Sequence, residues 1–131
     1  MRKGTQNISL AYDVLLVNMY LFGGNEKRAK EIADSFANNR IYIQIKEDGS
    51  QPGELNRTIA FTYSIYNLIH IVDFCYLVRY WDAEYYSKYG ARIDLVFSYL
   101  QHYAENPDSF PYQQIVSWKN WIKVLEEQVK R

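Results

Sequence analysis

Asp48-Gly49-Ser50-Gln51-Pro52-Gly53-Glu54-Leu55-Asn56-Arg57-Thr58, with Phe61-Thr62-Tyr63-Ser64-Ile65-Tyr66-Asn67-Leu68 close behind it, is the stretch on which the fold turns. Gly49, Pro52 and Gly53 mark irregular backbone, and an apolar run to about Tyr80 follows. We read a helix that begins between Glu54 and Thr58 and is apolar around most of its circumference, as expected of a helix enclosed by others. A continuous helix through Arg57 would turn that side chain about 120° away from Tyr63. Either the helix starts after Arg57, with Thr58 as the cap, or Arg57 and Tyr63 do not share a site; the irregular backbone at Gly49, Pro52 and Gly53 favours the later start.

Outward from this helix the pattern stays helical, with no convincing period-2 strand. Upstream, Ile8 to Phe22 is apolar nearly all round, and Gly23-Gly24-Asn25 supplies a stop and a fresh N-cap. About Glu26 to Lys46 is different. Ala29, Ile32, Ala33, Phe36, Arg40 and Ile43 share one stripe, while Lys27, Arg28, Lys30, Glu31 and Asp34 face away. Downstream, Ile93 to about Tyr103 reads as a shorter amphipathic helix. Pro107 and Pro111 bracket a loop, and Ile115, Trp118, Ile122, Leu125 and Val129 stripe a last helix. Enclosed, exposed, then enclosed again is the order of αα-hairpins stacked in two layers. The expected class is all-α: an incomplete α/α toroid of antiparallel hairpins. Residues 1–131 are read as one domain, without internal repeats or low-complexity tracts.

Fifteen basic residues balance fifteen acidic ones, so net charge argues neither for nucleic acid nor for an anionic membrane, and neither is expected as partner. A polyanionic ligand would need local positive charge instead. The single cysteine, Cys75, excludes an internal disulfide and is expected to be a buried structural thiol. Leu10 to Phe22 is interrupted by Asp13 and Asn18, lacks a small-residue cleavage site, and falls short of the roughly 20 residues of a membrane span. It reads as a core helix rather than an export signal. Two distant histidines and one cysteine make no zinc site, and no phosphate loop or nucleophile elbow is present, so no metal or cofactor is expected. Thirteen tyrosines and three tryptophans supply packing residues and candidate faces for sugar stacking.

The quoted residues resemble the signature of the alginate lyase family of helical polysaccharide lyases. That pattern reads D-G-S-Q-P-x-E-L-x-R-T, then a Tyr six residues after the Arg, then F/Y-N-L. The resemblance runs from about Asn7 to Tyr112-Gln113-Gln114. Upstream the family has N-N-H-G-T-x-Y-D-V, where this chain has Gln6-Asn7-Ile8-Ser9-Leu10-Ala11-Tyr12-Asp13-Val14. The resemblance implies a toroid, with this chain matching the C-terminal portion of a longer architecture. It also implies lytic β-elimination on an acidic polysaccharide, alginate or a related polyuronate. Family members commonly work in the periplasm or outside the cell.

Elimination on a uronic acid requires neutralisation of the C6 carboxylate, a base for the C5 proton, and an acid for the departing glycosidic oxygen. The resemblance makes Asn7, Arg57 and Tyr63 the catalytic candidates. The family histidine falls on Ile8, which carries no proton. Tyr63 would then serve as both base and acid beside the Arg57 cation, with Asn7 and Arg57 holding the carboxylate. Alternatively the site has decayed and Asn7 remains as a helix cap. On an uninterrupted helix Asn56, Tyr63, Asn67 and His70 would form one polar stripe along a cavity. These residues and Tyr66 are the substrate-binding candidates, although packing also suits Tyr66 and His70. Glu54 would orient Arg57 or be solvated in a first helical turn. His102 is expected to be exposed. The rival function is an inactive relative that binds carbohydrate or protein through an open helical face, covered by a second copy or a partner chain.

Overall fold

The computed structural model describes residues 7–130; Met1-Arg2-Lys3 and Gln6 lie outside the described residues. Seven α-helical segments follow in order: α1 (Asn7–Phe22), α2 (Glu26–Phe36), α3 (Tyr42–Gln44), α4 (Pro52–Leu55), α5 (Ala60–Val78), α6 (Tyr85–Glu105) and α7 (Lys119–Val129). A π-helical stretch, Ala37–Ile41, joins α2 to α3, and a 3-10 turn, Pro107–Ser109, follows α6. The described residues contain no strand, only an isolated antiparallel bridge between Ile59 and Gln114. The class is all-α.

α5 is the central element. It packs against α1, α4, α6 and α7, while α1 also pairs with α2. The hairpins α1/α2 and α5/α6 thus lie side by side, joined through α1 and α5. Phe61, Ile65, Leu68, Ile71, Phe74 and Val78 of α5 have no exposed surface, and Phe74 stacks on Phe36 with ring centroids 3.6 Å apart. Each such buried side chain contributes about 1.5–3 kcal/mol of transfer free energy. By length and composition alone α5 could cross a membrane. Its apolar surface is instead spent on four neighbouring helices.

Four expectations change. α1 is not enclosed: Ile8, Tyr12, Leu15, Met19 and Phe22, spaced by four and three, form an exposed stripe, with Phe22 97% exposed. Only its opposite face, with Asn7, Leu10, Asp13 and Val17, is buried. Uniform apolarity cannot reveal which face the neighbours cover. Ala29, Ala33 and Phe36 of α2, and Arg40 of the π stretch, turn inward as expected. The π stretch then advances the register, so that Ile41, Gln44 and Ile45 are buried and Ile43 is exposed. α6 begins at Tyr85 rather than near Ile93, and the Tyr85 hydroxyl donates to the Ala33 carbonyl at 3.3 Å. α7 begins only at Lys119 and buries Leu125, leaving Ile115 and Val129 of the expected stripe exposed.

α5 does start after Arg57, but its N-cap is Ile59, not Thr58. The capping group comes from far along the chain. Gln114 Oε1 accepts from the Phe61 and Thr62 amides at 3.0 and 3.3 Å, and its Nε2 donates to Thr62 Oγ1 at 2.8 Å. One side chain thereby satisfies two of the amides that every helix start leaves open. α1 is tied down by a buried bidentate pair, with Arg40 Nε 2.7 Å from Asp13 Oδ2 and Nη2 3.2 Å from Oδ1.

Candidate active site

The segment before α5 is a bracket fastened at several points. Asp48 accepts from the Ser50 amide at 2.9 Å, and the Ser50 side chain, then this amide, holds its carboxyl below the usual range. Gly49 has φ +85°, and a Cβ there would lie 2.0 Å from the Leu95 carbonyl oxygen of α6. Only glycine fits this approach. Gln51 Nε2 donates to the Ser64 carbonyl at 3.0 Å, and its Oε1 accepts from Asn67 Nδ2 at 2.6 Å. Pro52 then opens α4 at a position where its missing N–H costs nothing. The turn between α4 and α5 breaks the helical phase, which solves the orientation problem of Arg57.

Four side chains from distant segments meet at this turn. Glu54 of α4 has no exposed surface. Its Oε1 accepts from the Asn7 backbone amide at the start of α1, and its Oε2 accepts from Asn7 Nδ2 at 3.2 Å. Arg57 Nη1 lies 3.8 Å from Glu54 Oε2. The Arg57 guanidinium sits over the Tyr63 ring, 3.6 Å from its centroid. Burial raises the Glu54 carboxyl pKa, opposed by the Asn7 amide and then by the Arg57 charge. Arg57 and Tyr63 are both half-buried, so the cation and the phenol share a face reached by solvent.

An aromatic surface extends from Tyr63. Its ring lies 6.2 Å from that of Tyr66, which is 39% exposed and meets Trp121 of α7 edge-on at 5.0 Å. Trp121 was missed in the sequence, where only the number of aromatics hinted at such a surface. Gln114 and the anchoring role of Glu54 also went unseen, since both depend on contacts across about fifty residues.

The expected polar stripe is not formed. Asn56 is exposed in the turn before α5, off the helix. Asn67 is a correction: it is wholly buried and donates to Gln44 Oε1 at 2.9 Å as well as to Gln51, so it holds the bracket to α5 rather than lining a cavity. The polar atoms of Gln44 and Gln51 would otherwise be buried at a cost. His70 is half-buried, about 10 Å beyond Tyr63 along α5 by helical rise. Burial lowers its pKa, partly countered by Asp73. His102 is exposed. Cys75 is buried, which pushes its thiol up to about 12. A cleft of about 600 Å³, lined by Tyr76, Arg79, Asp82, Asp94 and Phe97 among others, lies toward the other end of α5. Its two carboxylates suit a polyanion poorly.

A model of the alginate lyase family matches residues 1–110. The chain belongs to the alginate lyase family. The crystal structure of an alginate lyase from Bacteroides ovatus is similar at a TM-score of 0.89 and 32% identity, over 98% of this chain and 35% of that one. The chain therefore spans about a third of that enzyme's length, and its hairpins form part of a helical toroid. A comparison with curated proteins finds no match. Against the alginate lyase pattern, Ile8 stands where the histidine is expected, next to Asn7 and 69% exposed.

Proposed function

We propose that this chain carries the working face of a polysaccharide lyase that opens a uronic-acid polymer, alginate or a related polyuronate, by β-elimination. The observation that carries this reading is the meeting of Asn7, Arg57 and Tyr63 around Glu54, from segments up to 56 residues apart. Arg57 and Asn7 engage the C6 carboxylate and make the C5 proton more acidic. Tyr63 takes that proton as the base and returns it to the glycosidic oxygen as the acid while the C4–O4 bond breaks and C4=C5 forms. One proton moves from carbon to oxygen, so the step balances without an oxidant or reductant. Tyr66 and Trp121 offer rings on which neighbouring sugars stack.

The test is ultraviolet absorbance of unsaturated uronate when the purified chain is incubated with alginate, glucuronan and related polyuronates. Wild type is expected to release product and Tyr63→Phe to release none. A second reading is favoured by one observation, the isoleucine at position 8. It makes the chain an inactive relative that binds acidic saccharide through the Arg57 face. That reading requires saccharide binding without product from any polymer, and binding that weakens in Arg57→Ala.

A further inference from the structure

We infer that Glu54 is a positioning residue: its buried carboxylate sets both groups that would receive the substrate carboxylate, Asn7 and Arg57. This deepens the lyase reading and rests on it for its catalytic consequence. A carboxylate with no exposed surface persists only where hydrogen bonds and opposite charge replace water. Glu54 finds these in the two candidate carboxylate binders themselves. Oε1 takes the Asn7 backbone amide, where the start of α1 favours negative charge. Oε2 takes Asn7 Nδ2, which fixes the plane of that carboxamide.

The contact with Arg57 is of another kind. At 3.8 Å it is an ion contact rather than a hydrogen bond, so Glu54 holds the cation without occupying the fork that would grip a substrate carboxylate. The Tyr63 ring supports the guanidinium as well, 3.6 Å from its centroid. Glu54 also lies three residues before Arg57, and the Arg57 amide donates to the Glu54 carbonyl at 3.1 Å. Backbone and side chain of one residue therefore fix the Arg57 turn. In an elimination, a misplacement of about 1 Å in such groups costs on the order of 100-fold in rate.

The experiment pairs Glu54→Gln with a measurement on the wild-type chain. Glutamine keeps the shape but removes the charge and sets a donor against one of the two Asn7 donors, the backbone amide or Nδ2. A folded Glu54→Gln, by circular dichroism and melting, is expected to lose on the order of 100-fold in kcat/KM. KM should rise as kcat falls, whereas a smaller folded fraction would lower kcat alone. A folded variant with unchanged kcat/KM and KM overturns the inference. On the wild type, NMR should show the Asn7 amide, the Asn7 carboxamide and the Arg57 guanidinium signals moving with the titration of the Glu54 carboxyl carbon. Signals that ignore it overturn the inference even if the variant fails to fold. Should wild type release no product from any polyuronate, the lyase reading falls, while the NMR result still decides whether Glu54 positions its two partners.

Discussion

Asp13 and Arg40 are two charges sealed between α1 and the π stretch, each with almost no exposed surface. Removing one leaves the other desolvated and unpaired, so Arg40→Met should cost about 3–5 kcal/mol in urea unfolding. Adding Asp13→Asn to that variant should recover part of the loss. His70 makes a prediction about pH. Its folded-state pKa lies below the ordinary 6.5 because burial disfavours the imidazolium. The unfolded chain therefore binds the proton more readily. The stabilisation is complete above 6.5 and is lost as pH falls from there through the folded-state pKa. Melting temperatures taken across that range should drop on acidification for wild type and drop less for His70→Gln. At this scale the sequence was readable where the pattern is local: Asp48 to Leu68 carries the family signature in one stretch, and the chain belongs to that family. Asn67 misled because a polar side chain on an apolar helix looks the same whether it faces a cavity or two buried glutamines.

Among the elements, α5 was legible from its length and apolarity, whereas its cap was not. A capping residue is sought just before a helix, and Gln114 arrives from 53 residues beyond Phe61. Gln114→Ala uncovers the Phe61 and Thr62 amides and should cost about 1 kcal/mol, read as a shift in the urea midpoint. The π stretch was equally hidden, because periodicity assumes a constant turn. Deleting Asn38 from it would restore an ordinary helix but rotate everything after it by about 100°. Arg40 would then leave Asp13, and Gln44 would leave Asn67. The expected result is a large loss of stability with helix content almost unchanged by circular dichroism.

At the scale of the whole molecule, the all-α class and its antiparallel hairpins could be foreseen from helical periodicity throughout the chain. The exposure of α1 could not, because its composition is apolar on every side. That difference can be measured. Leu10 has no exposed surface and Leu15 is 55% exposed on the same helix. Leu10→Ala should cost about 2–5 kcal/mol, while Leu15→Lys should stay within about 0.5 kcal/mol. Equal costs in urea titrations would mean that the stripe is covered in solution. The reach of Gln114 also orders events in time. As the ribosome delivers the chain from its amino end, Asn7, Glu54, Arg57 and Tyr63 all emerge well before residue 114. Until then the first turn of α5, which carries Tyr63, has its Phe61 and Thr62 amides open to water. The helix start beside the proposed site is thus left uncapped until residue 114 is made, although every residue proposed for the elimination itself was made early.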